Sequence, residues 1–181
     1  MGTCCSPFER ATFINIFHEF KDVFAWTYND MKTYDTRIIQ HVILLKLDAK
    51  PFQQKLRKMH PSLEPLIKQE LNKLLAEHII FPVRHCKFIA NLVTVRKMNG
   101  HIRLCMYFHN LNRESKKDNY PLPSMEQILQ QVAGTKMFYF FDGFSGYNQI
   151  LVSHNDKLNT SFRNPWGTYS YRKMPFGLIN D

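Results

Sequence analysis

Residues 137–147 constrain this chain more than any other stretch. The apolar run Met137-Phe138-Tyr139-Phe140-Phe141 ends in a single acid, Asp142, and Gly143, Ser145 and Gly146 follow at once. A short continuous apolar run bounded by small residues reads as a buried strand, expected over residues 137–142. Such a strand delivers Asp142 to a surface at its end, where small neighbours let backbone and ligand approach closely. A carboxylate in that position suits a divalent metal ion, a layout that nucleotidyl transfer uses. A turn capped by Asp142 after an ordinary strand is the alternative.

The rest of the chain alternates helical and strand-like patterns. Residues 9–27 place Phe13, Ile16, Phe17, Phe20, Val23 and Phe24 at helical spacing, which predicts a helix. HVILLKL (41–47) reads as a strand, and the basic, proline-flanked run KPFQQKLRKMHP (50–61) reads as a linker or arm. Its Lys50, Lys55, Arg57 and Lys58 suit phosphate contact and a solvated charged face equally well. A second helix is predicted from Ser62, as cap, through Leu66, Ile67, Leu71, Leu74 and Leu75 to about Glu77. Phe88–Arg96 and Ile102–Phe108 read as two strands joined by an Asn-Gly turn at Asn99-Gly100. After a polar loop comes a helix from Ser124 to about Val132 with Met125, Ile128, Leu129 and Val132 inward, and two further short strands flank Asn164-Pro165-Trp166-Gly167. There is no internal repeat and no low-complexity tract.

The chain has 181 residues, 44% of them hydrophobic, enough for one domain with a core. Its formal charge is +9, from 24 Lys plus Arg against 15 Asp plus Glu, which suits a polyanionic partner such as nucleic acid. No apolar run approaches the roughly 18 residues of a membrane span, and no signal-peptide pattern is present, so the expected location is intracellular, cytoplasmic or nuclear. Cys4, Cys5, Cys86 and Cys105 lack paired metal-site spacing and fit a reduced chain. His101, Cys105 and His109 recur at every fourth position, but no convincing fourth zinc ligand accompanies them. Met1-Gly2-Thr3-Cys4-Cys5-Ser6 satisfies the N-myristoylation pattern and supports a third-ranked reading, a protein anchored by lipid at Gly2.

Four stretches stand in one order, the third of them holding Asp142: NLVTVRKMNGHIRLCMYFHNLNR (91–113), KKDNYPLP (116–123), FFDGFSGYNQI (140–150) and NPWGTYSYRKMPFGL (164–178). Together they resemble the reverse transcriptase of gypsy-type long-terminal-repeat retrotransposons, particularly the plant elements. The resemblance runs from about Phe13 to Asn180, and FHEFKDVFAW (17–26) resembles the segment that precedes this polymerase in such polyproteins. It implies an α+β fold comprising the fingers and partial palm of a right-hand polymerase, preceded by a helix and arm over residues 1–60, with the polymerase portion over 61–181.

The resemblance also implies roles. Asp142 matches the first catalytic aspartate, with the Gly143 carbonyl beside it as a second ligand to Mg2+. Tyr147 matches the bulky residue that screens the incoming sugar, and Gly146 its small neighbour. Lys97 and Arg103, flanking the hairpin turn, match contacts to the nucleotide phosphates, and Phe176 a residue that packs by the nucleotide pocket. The implied partners are an RNA or DNA template–primer and a deoxynucleoside triphosphate. Three departures matter. Where the pattern has an acid and an arginine, this chain has Tyr107 and His109, and Asn159 stands where a lysine is usual. The sequence contains no two consecutive aspartates and stops at Asp181, before the family's Tyr-x-Asp-Asp hairpin. The expectation is therefore a fragment that is inactive alone and self-associates through an uncovered palm edge. A non-catalytic basic nucleic-acid-binding module is the alternative.

Overall fold

The two strands expected on either side of residues 97–101 do pair as an antiparallel hairpin, and a five-stranded sheet is built around it. We describe a computed structural model over residues 5–28, 30–96, 98, 100, 102–135, 138 and 145–181. The expected palm strand at 137–142, all but Phe138 of it, with Asp142 and Gly143, and Gly2 of the lipidation motif lie outside these described residues. The chain divides into two units, Met1–Lys32 and Thr33–Asp181.

In the first unit, helix α1 spans Pro7–Glu19. Ser6 caps it by accepting from the Glu9 backbone N–H, while the Glu9 carboxylate accepts the Ser6 backbone N–H at 2.8 Å. That backbone bond lowers the Glu9 pKa. The single helix expected over 9–27 is thus broken: Phe20 leaves helical dihedrals, and a separate one-turn helix follows at Lys21–Val23. Of the apolar residues at helical spacing, Ile16, Phe17, Phe20 and Val23 are exposed.

In the second unit, helix α2 spans Glu64–Ala76 and buries Ile67 and Leu71. Its start differs from the expectation. Residues Pro61–Leu63 form a one-turn lead-in, and Ser62 bonds to the His60 ring at 2.7 Å instead of capping α2. Strands β1 (Ile80–Pro82), β2 (Ala90–Arg96) and β3 (Ile102–Met106) follow, then the short helix α3 (His109–Glu114) and helix α4 (Met125–Val132). Strands β4 (Phe162–Asn164) and β5 (Gly167–Tyr171) complete the sheet in the order β1-β5-β4-β2-β3. All neighbours are antiparallel except β2 and β4, which run parallel with Asn91 opposite Arg163. Gly100 has φ +81°, the left-handed geometry that an Asn-Gly turn demands. Pro82 is accommodated because β1 is an edge strand.

The core lies where α2 and the preceding loops meet one sheet face. Phe162 is fully buried, its ring 5.8 Å from Tyr169 and 5.5 Å from Tyr171. The buried hydroxyls beside it are satisfied: Ser161 and Ser170 bond at 2.6 Å, and Thr160 accepts the Tyr171 N–H at 3.1 Å. Burial pushes the Tyr171 phenol well above its ordinary range, with the nearby Cys105 adding to the shift.

Three other expectations differ from the structure. Residues 41–47 do not form a continuous strand. His41 bridges to Val152 and Leu45 to Ser115, so the segment changes partners within five residues and no ladder propagates. The basic run at 50–58 is tied to the sheet: Ile89 N–H donates to the Phe52 carbonyl at 3.0 Å and Gln54 N–H to the Ile89 carbonyl at 2.9 Å. Helix α4 is capped by Ser124 as expected, but Met125, Ile128 and Leu129 are exposed, not inward.

Candidate functional site

Segment 150–152 runs antiparallel to 172–174, with Val152 N–H donating to the Arg172 carbonyl at 2.9 Å and Met174 N–H to the Ile150 carbonyl at 2.8 Å. This pairing sets the one-turn helix Gly146–Gln149, just ahead of Ile150, beside the loop that follows Met174. The turn begins at Ser145, a non-glycine residue in the left-handed region at φ 48°. Such a residue costs of order 1 kcal/mol, offset here by local bonds. Asn148 donates its side-chain amide to Ser145 Oγ at 2.6 Å and its backbone N–H to the Ser145 carbonyl at 2.8 Å.

The result is a ring contact between two residues that the resemblance assigned to one pocket. Tyr147 and Phe176 meet edge to face, centroids 5.4 Å apart at 88°. Both stay accessible, Tyr147 at 38% and Phe176 at 65%. A Cβ built on Gly146 meets no atom of the described residues within 4 Å, its two chain neighbours aside, so no described packing contact demands a glycine there.

Arg103 lies on β3 opposite Val95, exposed, and its side chain has no hydrogen-bond or ion-pair partner among the described residues. No ring or side-chain contact joins it to Tyr147 or Phe176. Lys97, Asp142 and Gly143 lie outside the described residues. Strand alternation puts Arg103, Cys105 and Tyr107 on one face, with Asn91, Val93 and Val95 beside them on β2 and Arg163 beyond on β4. The opposite face carries the buried Leu92, Met106 and Phe162. Tyr107 and His109, where an acid and an arginine are expected, stack with centroids 5.6 Å apart at 12°. A ring pair thus stands at the two positions where the resemblance implies an acid and an arginine.

Three asparagine and glutamine side chains that sequence reasoning passed over hold these parts. Asn112 Nδ2 donates to the Gly177 carbonyl at 2.8 Å while its Oδ1 accepts the Ile179 N–H at 3.1 Å. Asn180 reaches back, donating to the Lys116 carbonyl and accepting from the Asp118 N–H, both at 2.9 Å. Gln54, 9% exposed, donates to the Tyr107 carbonyl and to Asn110 Oδ1 and accepts the Asn91 N–H, each at 2.9 Å. The only signal for these roles was the Asn-Leu-Asn end of the 105–112 motif and an uncharged pair, Gln53-Gln54, inside a basic run.

Two ionisable groups near the paired segments are shifted. Burial lowers the His41 pKa, with Asp181 and Asp156 pulling the other way. Burial also lowers that of Lys173, opposed by Glu77. Among the described residues, no three His, Cys, Asp or Glu side chains converge to hold a metal ion, and no helix is long and apolar enough to cross a membrane.

The sheet, the flanking helices and the paired turn and loop define an α+β fold, the fingers and partial palm of a right-hand, reverse transcriptase-like polymerase. Prototype foamy virus protease–reverse transcriptase superposes on 97% of the chain with a TM-score of 0.83 at 18% identity, the match covering 23% of the viral chain. A structure of the foamy viral enzyme in complex with an RNA/DNA hybrid gives a TM-score of 0.68 at 12% identity over 98% of the chain and 23% of its own. The sequence relatives are retrotransposon polyproteins. The retrovirus-related Pol polyprotein from transposon gypsy of Drosophila melanogaster is 34% identical over 119 residues, 63% of this chain, and the Tf2-3 polyprotein of Schizosaccharomyces pombe is 28% identical over 166 residues, 91% of it. The chain spans 12% of the length of each. No family model matches it.

Proposed function

We propose that the chain is the fingers and first part of the palm of a reverse transcriptase from a gypsy-type retrotransposon, with a residue pattern closest in kind to plant elements. One observation carries the reading: the edge-to-face contact of the accessible Tyr147 and Phe176 rings, beside a Gly146 whose Cβ position meets no other atom of the described residues. An accessible aromatic ledge suits the sugar of an incoming nucleotide, and the Tyr147 ring would conflict sterically with a 2′-hydroxyl. In this reading Arg103 and Lys97 neutralise the triphosphate, for which Arg103 is suited by its unpaired guanidinium. Asp142 and the Gly143 carbonyl would hold Mg2+, which would supply charge to polarise the primer 3′-hydroxyl and neutralise the triphosphate. Residues 61–181 form the polymerase portion and residues 1–60 the helix and arm before it. The +9 charge and the likeness to an enzyme solved with an RNA/DNA hybrid support a template–primer as partner.

The 181-residue polypeptide holds no two adjacent aspartates, and one carboxylate with one carbonyl leaves two metal ions short of anionic ligands. We therefore expect it to bind nucleotide and template–primer but not to extend a primer by itself. The test combines primer extension with equilibrium binding of deoxy- and ribonucleoside triphosphates in magnesium, using Asp142→Asn and Tyr147→Ala. The expected results are no extension, weaker magnesium-dependent nucleotide binding in Asp142→Asn, and a narrowed preference for deoxynucleotides in Tyr147→Ala. Extension that Asp142→Asn abolishes would overturn the inactivity. Template binding indifferent to magnesium, nucleotide and Asp142 would favour the non-catalytic nucleic-acid-binding module instead, a reading supported by the basic, aromatic face around Arg103 and Tyr107.

A further inference from the structure

We infer that Asn112 is a positioning residue, which sets Phe176 against Tyr147 by gripping the loop on the far side of Phe176. The inference deepens the nucleotide-site reading, but its core is a geometric claim that stands without nucleotide. Phe176 is 65% exposed, so packing alone does not fix its ring. What fixes the backbone next to it is polar. Asn112 presents one donor and one acceptor in a plane, and both are used on the same loop: Nδ2 to the Gly177 carbonyl at 2.8 Å, Oδ1 from the Ile179 N–H at 3.1 Å. Gly177 sits at φ +98°, a conformation that side chains rarely adopt, so the loop after Phe176 follows a path that few sequences take unaided.

Only an amide of this length meets both needs. Aspartate keeps the acceptor but sets a carboxylate against the Gly177 carbonyl, and leucine satisfies neither group. Asn112 is itself held, its backbone N–H donating to the Phe108 carbonyl at 2.8 Å at the start of α3. The reverse grip by Asn180 on Lys116 and Asp118 closes the same loop from its other end. Between the two asparagines the segment 177–180 has little freedom, and Phe176 enters it directly. The 150–152 pairing with 172–174 ties the Tyr147 turn to the near side of Phe176, and Asn112 holds its far side.

The test reads the ring contact itself. The chain is produced with fluorotyrosine at its eight tyrosines, and the Tyr147 resonance is assigned with Tyr147→Phe. Phe176→Leu defines where that resonance moves when the contact is lost. Asn112→Asp should move it towards the same position, while the resonances of Tyr169 and Tyr171, packed on Phe162, stay in place. Asn180→Ala should produce a smaller displacement in the same direction. A Tyr147 resonance unmoved in Asn112→Asp, with Phe176→Leu moving it, would overturn the inference. So would a uniform displacement of all tyrosines in both asparagine variants, since that is a general structural role. Nucleotide binding measured on the same samples separates this from the nucleotide reading. A wild-type chain that shows the ring effect but binds no deoxynucleoside triphosphate defeats that reading and leaves the positioning role intact.

Discussion

Removing the Gln54 side chain should cost the fold about 3 kcal/mol, from three bonds each contributing roughly 1 kcal/mol net. Gln54 is buried and its amide joins three segments: Asn91 at the start of β2, Tyr107 just after β3, and Asn110 in α3, each at 2.9 Å. Gln54→Ala keeps the backbone bond from Gln54 N–H to the Ile89 carbonyl, so the segment stays threaded. The Asn91 N–H and the Tyr107 carbonyl lose their side-chain partner. Were they left dry, each would cost about 1–3 kcal/mol, but the volume vacated by the truncated side chain admits water and holds the loss near the lower end. With a urea slope of about 2 kcal/mol/M, the midpoint should fall by about 1.5 M. Urea titration followed by circular dichroism and by tryptophan fluorescence measures this, coincidence of the two probes securing the two-state treatment. Asn110→Ala, which removes one of the three bonds, should show about a third of the loss. A Gln54→Ala midpoint within about 0.3 M of wild type, at unchanged slope, would refute the reasoning, because solvent would then be replacing the buried amide without cost.

Two further outcomes follow from the electrostatics. Burial depresses the His41 pKa in the fold, so the unfolded chain takes up that proton first; stability should be full above pH 6.5 and fall as pH drops through 6.5, and His41→Asn should flatten the decline in melts recorded between pH 7.5 and 5.5. A wild-type profile flat across that window would contradict it, since the lowered carboxylates Glu9, Asp30, Asp35 and Glu114 act only at lower pH. Binding to a single-stranded oligonucleotide, followed by fluorescence anisotropy, should weaken with salt by a log–log slope of about −0.7 per phosphate contact, and Arg103→Ala should remove about one such contact. Tyr107→Ala should cost about 1–3 kcal/mol of binding without changing the slope, and salt-independent binding would exclude the phosphate-contact picture altogether.

Local patterns foretold those elements whose bonds are local. The Asn-Gly turn set the β2–β3 hairpin, the stripe through Ile67 and Leu71 set α2, and Ser124 set the start of α4. They failed where a segment's partners are distant. The run 41–47 is apolar enough for a strand, but its neighbours are Val152 at one end and Ser115 at the other, which periodicity cannot report. Gln54 sits in a run whose charge suited phosphate or solvent, and the uncharged pair Gln53-Gln54 is too faint a mark to name its partners. The candidate site divides in the same way. Tyr147, Gly146, Phe176 and Arg103 could be named from motifs. The edge-on meeting of Tyr147 and Phe176 depends on strand pairing between 150–152 and 172–174, and the grip of Asn112 on the Phe176 loop depends on side-chain bonds that span much of the chain.

How the second unit divides its polar bonds argues for a working surface at this end of the sheet. A phenylalanine left 65% exposed forgoes much of the ~1.5–3 kcal/mol that full burial of such a ring supplies. By itself that is unremarkable, since single exposed apolar side chains are common. Here the exposed ring is entered by a loop fixed by Asn112, Asn180 and the Asp181 carboxylate, which accepts the Gly177 N–H at 2.6 Å. It faces a second accessible ring whose own turn starts from a left-handed serine. A loop selected for stability alone would relax the serine and bury the phenylalanine. Fixing both backbones while leaving both rings accessible is the arrangement expected where something else completes the packing, and two aromatic rings meeting edge to face suit a flat molecule.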